Sequence, residues 1–199
     1  MILLTNAELN LICCSILQGV DFEGGFLSRP RESITKIVSL NNVGTLRITH
    51  AALQCRRKEK NFTIVFVSSL ASMFPMPLKA TYAASKRFLL DFAISLRQEL
   101  RGKNVNVMVL CPAGMETKDD TIEAIRAQGF WGDITTNPLE TVASKTIDKA
   151  LAGRAIYVPG TVNRILLFAG RLIPKTWVAG AVYYRWKKTQ SRWLNANQS

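Results

Sequence analysis

Ser69, Tyr82 and Lys86 are the residues of this chain whose types and spacing could do chemistry. Tyr82-Ala83-Ala84-Ser85-Lys86 reads as the opening of a helix, and a four-residue interval puts the phenol and the ammonium on one helical face. A nearby cation favours the phenolate, which makes tyrosine a usable acid or base closer to neutral pH. Ser69 stands thirteen residues before Tyr82, where the apolar run Phe62 to Val67 ends in a serine pair. That is the carboxyl end of a presumed strand, the place where open α/β sheets hold their ligands. A Tyr-x-x-x-Lys pair alone arises by chance on amphipathic helices. The bland alternative is that Ser69 caps a loop while Tyr82 and Lys86 merely share a helix face.

The elements that must position these groups follow from the apolar pattern. Phe62 to Val67 is continuously apolar, as suits a parallel strand covered on both faces. After Lys86, residues Phe88, Leu89, Phe92, Ala93, Leu96 and Leu100 form a core stripe at helical period, and Gly102 closes that helix. Val105 to Leu110 is the next strand, so strand, helix and strand make a parallel crossover. Upstream, Gln18 to Pro30 reads as loop, and the apolar positions from Ile34 to Leu53 predict one long amphipathic helix over Arg31 to Cys55. Residues 1 to 5 read as the end of a buried strand. Downstream, Pro138-Leu139-Glu140 opens a helix that runs to Leu151, and Ala155 to Pro159 makes a last short strand. His50 falls near the end of the long helix, away from the other candidates, and receives no role.

Ser69, Tyr82 and Lys86 at this spacing resemble the active-site set of the short-chain dehydrogenase/reductase family. Three further stretches extend the resemblance. Asn41, in Leu40-Asn41-Asn42-Val43-Gly44-Thr45, stands where the family keeps an active-site asparagine; a plain bend in the helix is the competing explanation. Pro112-Ala113-Gly114-Met115-Glu116-Thr117 resembles the family's Pro-Gly-x-x-x-Thr loop, with Ala113 in place of the glycine. Thr5-Asn6-Ala7-Glu8 resembles a degraded form of the Asn-Asn-Ala-Gly turn after the family's fourth strand. The resemblance covers roughly residues 31 to 160.

It implies an α/β fold, a Rossmann-like doubly wound parallel sheet, and hydride transfer between the nicotinamide of NAD or NADP and a small-molecule carbonyl or alcohol. By the same implication Tyr82 gives the proton, Lys86 stabilises the phenolate and bonds the nicotinamide ribose, and Ser69 holds the substrate oxygen. Asn41 positions a water, while Asn6, Pro112 and Thr117 complete the cofactor side. Residues 118 to 132 correspond to the segment that covers the substrate.

One part of that machinery is not legible in the sequence. No Gly-rich turn joins a first strand to a helix in a way that could cradle a pyrophosphate, and Gly24-Gly25 lacks the flanking elements. The resemblance therefore implies a partial catalytic domain over residues 1–160 that lacks the first three strands and the cofactor turn, followed by a helical tail over 161–199. The expectation for the 199-residue chain is no measurable NAD(P)H binding. The alternative to an oxidoreductase is a truncated, inactive interaction protein that works through its tail.

Composition narrows the rest. A hydrophobic share of 48% with 20% charged residues suits a globular protein and argues against disorder. Cys13, Cys14, Cys55 and Cys111 show neither zinc-ligand spacing nor a disulfide framework, so no metal is expected and a reducing cytoplasm is. The apolar start carries Glu8 and no basic leader, which makes a poor signal peptide, and no run reaches the ~18 uncharged residues of a spanning helix. The net charge of +12 is concentrated at the end: nine cations and no acid follow Asp148. In the tail, Ile165, Leu166, Leu167, Phe168, Leu172 and Ile173 precede Pro174 and Trp177, Tyr183, Tyr184, Trp186 and Trp193 follow it, with Lys and Arg among and after them, the composition of an interfacial helix. Residues 161–193 are thus candidates for peripheral membrane contact. The competing reading packs the two pieces on their own domain or on a second copy in a homo-oligomer. Nucleic acid is disfavoured because no binding module accompanies the charge.

Overall fold

The computed structural model describes residues 5–6, 11–12, 24–115 and 129–189. Its sheet has the order β1 (Thr5–Asn6), β2 (Leu11–Ile12), β3 (Phe62–Val67), β4 (Val105–Leu110) and β5 (Ile156–Tyr157). All neighbours pair in parallel except β1 with β2. Seven α-helices accompany it among the described residues: α1 (Arg31–Val38), α2 (Thr45–Cys55), α3 (Ala80–Glu99), α4 (Phe130–Thr135), α5 (Leu139–Leu151), α6 (Thr161–Leu172) and α7 (Lys175–Thr189).

The two long strands explain the architecture. β3 and β4 are paired along their whole length, from Phe62 opposite Val105 to Val67 opposite Leu110. Successive side chains on a strand point to opposite faces, so a strand with apolar side chains on both faces needs a cover on each side. Phe62, Ile64, Phe66, Val107 and Val109 pack with Leu90, Ala93 and Leu96 of α3. Val65, Met108 and Leu110 pack with Val142 and Ala150 of α5. This is the doubly wound α/β arrangement that the sequence predicts. Arg97 ties the crossover to the next loop, donating to the carbonyls of Val107 at 2.9 Å and Gly153 at 2.8 Å.

Two features go beyond what the sequence pattern discloses. The place beside β3 is held by Leu11–Ile12, with Leu11 opposite Thr63 and Ile12 opposite Ile64; of the stretch 1 to 5, which reads as the end of a strand, only Thr5 lies among the described residues, in β1. Thr5–Asn6 pairs antiparallel one position further out. Placing the apolar Leu-Ile dipeptide inside and the polar Thr-Asn dipeptide at the edge follows the ordinary preference of inner and outer strands.

The predicted single helix over 31 to 55 is present, with one widened stretch inside it. Between α1 and α2 the chain widens into a π-turn over Ser39–Gly44. Asn41 and Asn42 are buried there, and the Thr45 hydroxyl donates to the Asn41 carbonyl at 2.6 Å, satisfying an acceptor within the widened turn.

Candidate active site at the carboxyl ends of β3 and β4

Both long strands end at the same level, where Ser68 N–H donates to the Leu110 carbonyl at 2.8 Å. Beyond them, the Leu70 N–H donates to the Pro112 carbonyl at 2.7 Å, and the Ser69 hydroxyl stands 3.5 Å from the same oxygen. The two strand-end loops are therefore laced together, and Ser69 is held at the lacing. Its oxygen also accepts from the Ala71 N–H at 3.1 Å, which caps the short 3-10 turn Leu70–Ser72. Capping residues of this kind satisfy a helix-start donor and fix the loop's entry angle.

Lys86 is only 4% exposed although it carries an ammonium. Its Nζ donates to the Val67 carbonyl at 3.0 Å and lies 5.7 Å from the centroid of the Tyr82 ring. The helical four-residue interval thus brings the pair together on the sheet side of α3. The helix backbone is fixed at the same point, because the buried Ser68 hydroxyl donates to the Lys86 carbonyl at 2.7 Å. A buried ammonium needs hydrogen-bond partners to offset its desolvation, and a strand-end carbonyl is one.

Asn41 is completely buried. Its Nδ2 donates to the Ser85 hydroxyl at 3.0 Å, while the neighbouring Asn42 Nδ2 donates to the Ser85 carbonyl at 3.0 Å. The π-turn is the device that aims two consecutive asparagines at one residue of α3, directly before Lys86. Asn41 Oδ1 has no hydrogen-bond partner among the described residues, an acceptor left open in the interior.

Cys111 adds a feature that the sequence pattern did not disclose. It is fully buried after β4, with its Sγ 4.0 Å from the Ser72 hydroxyl. Burial pushes its thiol up to about 11, against the smaller lowering effects of Ser72, Ser68 and the Lys86 charge. A thiol so placed is a packing group, not a nucleophile.

The segment between Ser69 and Tyr82 is held from outside as well. Leu78 adopts a left-handed backbone with φ of 66°, a conformation costing a non-glycine residue roughly 1–2 kcal/mol. Its carbonyl accepts from Gly24 N–H at 2.9 Å. Lys79 Nζ lies 5.9 Å from the Tyr82 ring and 5.7 Å from the ring of Trp186 on α7. A Cβ added at Gly170 of α6 would overlap the Phe74 ring, so α6 approaches this segment at close quarters. Lys79 and Phe74 belong to no motif, and their meeting with α6 and with Trp186 depends on how the tail folds back.

Among the remaining candidates, Pro112 acts through its carbonyl as described. Asn6 lies on the outer strand opposite Leu11. Thr117 lies outside the described residues, as does most of the predicted substrate-covering segment 118–132. His50 is exposed on α2. Among the described residues no group of His, Cys, Asp and Glu could hold a metal ion.

The site's residues fit part of a nicotinamide cofactor. Tyr82, Lys86 and the Pro112 carbonyl lie at the carboxyl ends of β3 and β4, where such sheets hold ligands, and Asn41 Oδ1 is a buried open acceptor on the neighbouring π-turn. The described residues contain no cradle for a pyrophosphate.

Comparison with known proteins bears on the same stretch. Residues 18–124 match the family described as short chain dehydrogenase. A very-long-chain 3-oxoacyl-CoA reductase of Laccaria bicolor is 38% identical over 82 residues, covering 41% of this chain and 24% of that protein. The chain thus spans about a quarter of that relative's length. In structure, a 7beta-hydroxysteroid dehydrogenase superposes with a TM-score of 0.70 at 16% identity, over 84% of this chain and 65% of that one. A 3-ketoacyl-(acyl-carrier-protein) reductase from Brucella melitensis, complexed with NADH, superposes with a TM-score of 0.62 at 18% identity, over 76% and 65%. At these identities the structural likeness is one of fold.

Proposed function

This chain belongs to the short-chain dehydrogenase family, and from that premise we propose that its Tyr82 site transfers a proton during NAD(P)-dependent reduction of a small-molecule carbonyl, or the reverse oxidation of an alcohol. The observation that carries the reading is the buried Lys86 ammonium, fixed on the Val67 carbonyl and 5.7 Å from the Tyr82 ring at the carboxyl edge of a parallel sheet. The nicotinamide, when bound, supplies the hydride that reaches the carbonyl carbon. This chain's residues handle the proton. Tyr82 gives its phenolic proton to the carbonyl oxygen, and the Lys86 ammonium stabilises the phenolate left behind. Ser69 holds the substrate oxygen with its hydroxyl, which sits at the lacing of the two strand-end loops. Asn41, through its open Oδ1, accepts from a water that returns a proton toward Lys86. Asn6, Pro112 and Thr117 are assigned to the cofactor side.

The 3-oxoacyl reductases among the relatives favour a β-keto acyl thioester as the carbonyl to try first. Residues 161–193 are assigned a peripheral membrane contact, in line with their cations and exposed apolar side chains; among the described residues no helix is long and apolar enough to cross a membrane.

Because the described residues contain no pyrophosphate cradle, binding of NAD(P)H in the micromolar range is not expected, and the assay uses millimolar reduced cofactor. Cofactor-dependent reduction of a short 3-oxoacyl thioester by the chain should fall ~10²–10⁴-fold in Tyr82→Phe. A rate that Tyr82→Phe leaves unchanged contradicts the assignment. Complete absence of a cofactor-dependent rate favours the second reading, an inactive interaction protein, which the outward-facing tail supports.

A further inference from the structure

The tail helices present an apolar surface that the core does not use. On α6, Ile165, Phe168 and Leu172 are 62%, 68% and 75% exposed. Spacings of three and four residues place them in one stripe along the helix. On α7, Trp177 and Tyr184 are 73% and 79% exposed, seven residues apart and so again on one side. Ile173, between the helices, is exposed as well. The stripe is flanked by Arg164, Lys175 and Lys187, and no acidic residue occurs anywhere after Asp148. Exposed Trp, Tyr, Phe and Leu among cations with no anion match a surface rich in acyl chains and negative headgroups, and mismatch a neutral or basic partner.

The opposite sides of the same helices grip the catalytic loop. Leu167 of α6 packs against the main core, and Gly170 lets that helix close onto Phe74. Trp186 of α7 is only 7% exposed, with Lys79 Nζ between its ring and that of Tyr82. Phe74 and Lys79 both belong to the stretch that joins Ser69 to Tyr82. One pair of helices therefore carries an outward apolar stripe and an inward attachment to the segment that holds the proton donor.

We infer that α6 and α7 are an anionic-lipid docking face fastened to the Ser69–Tyr82 loop, so that docking sets the catalytic mouth against the bilayer and the carbonyl substrate is one that partitions into lipid. This rests on the peripheral contact assigned to the tail and deepens it by adding the mechanical link and the substrate class. The face has the two components that stable surface binding requires, buried apolar area and electrostatic attraction.

The test uses the full 199-residue chain with phosphatidylcholine vesicles, with and without phosphatidylserine. Sedimentation reads binding, and hydrogen exchange reads the backbone of residues 70–79. Binding is expected only with phosphatidylserine and should weaken with salt. Removing one exposed aromatic by Phe168→Ser or Trp177→Ser should weaken it at least about tenfold. Lys175→Gln should weaken it about fivefold. Because these side chains face outward, thermal melting of the variants should match the parent. On vesicles, exchange should slow in 70–79 together with α6 and α7. Slowing confined to the tail overturns the link while leaving the peripheral contact standing. Equal sedimentation with neutral vesicles, or a concentration-dependent dimer abolished by Phe168→Ser without vesicle binding, overturns both. Neither outcome touches the proton-transfer reading, which Tyr82→Phe tests separately.

Discussion

The β3–α3–β4 crossover and the α6–α7 pair are both rich in apolar side chains and dispose of them in opposite ways. In the crossover, Ile64, Phe66, Val107 and Val109 are essentially inaccessible, each covered by a helix. In the tail, Phe168, Leu172 and Trp177 lie mostly in the open, while Leu167 and Trp186 turn inward. Hydrophobic content alone thus says little about what a segment does. What distinguishes the regions is the partner available on each face. The crossover is sealed by its own chain and can hold an ammonium and a phenol in fixed relation. The tail has one face sealed and one face left for something else.

Changes at matched residues should separate the two regions sharply. Phe66→Ala removes a ring buried in the main cluster and in edge contact with Phe92 at 5.6 Å between centroids. A loss of ~3–5 kcal/mol in chemical denaturation is expected, and a loss below ~1 kcal/mol would show that the crossover is not the stable unit described.

A pH effect of comparable size is expected from Cys111. Its thiol is raised from an ordinary 9.0 to about 11 by burial. As pH rises past the ordinary value, the thiol of the unfolded chain ionises while that of the folded chain stays protonated, so unfolding releases a proton and stability falls toward the folded value. At full development the difference between the two values is worth roughly 3 kcal/mol. Denaturation midpoints of parent and Cys111→Ala should therefore diverge progressively in alkaline buffer; parallel curves would remove the buried-thiol account.

Within the tail, its two faces can be compared through glycine. Gly170→Ala must displace the Phe74 ring, whereas Gly180→Ala meets nothing within 4 Å. Overpacking costs ~1–3 kcal/mol against a helix-propensity gain of ~1 kcal/mol, so Gly170→Ala should destabilise and Gly180→Ala should stabilise slightly. Equal thermal shifts would mean that α6 does not press on the catalytic loop. The smallest change should come from Phe168→Ala, within about 0.5 kcal/mol of the parent, as for any exposed side chain. A core-sized loss there would place Phe168 under cover.

These contrasts also mark how far the sequence could be read. β3 and β4 were legible to the residue, because two largely apolar stretches of strand length, separated by a helical stripe, have few other solutions. The approach of Lys86 to Tyr82 was legible through their four-residue spacing, and Pro174 divided the tail where α6 and α7 part. The π-turn was not, since Asn41 and Asn42 widen the helix only because Ser85, on a distant helix, receives both side chains. The burial of Cys111 and the meeting of Lys79 with Trp186 were hidden for the same reason: each depends on a contact between segments far apart in sequence. Leu11–Ile12 beside β3 was not legible either, because its place is set by pairing with Thr63 and Ile64, far away in sequence.

The central claim is that the crossover still positions Tyr82 for proton transfer in a hydride-transfer reaction. Deuteride transfer tests it most directly: the chain is incubated with C4-deuterated NADH or NADPH at millimolar concentration and a 3-oxoacyl thioester, and the hydroxyacyl product is weighed by mass spectrometry. Deuterium is expected on the new carbinol carbon with the parent chain, with near-complete loss of the label in Tyr82→Phe. Label at equal levels in both, or none from the parent, would contradict the claim.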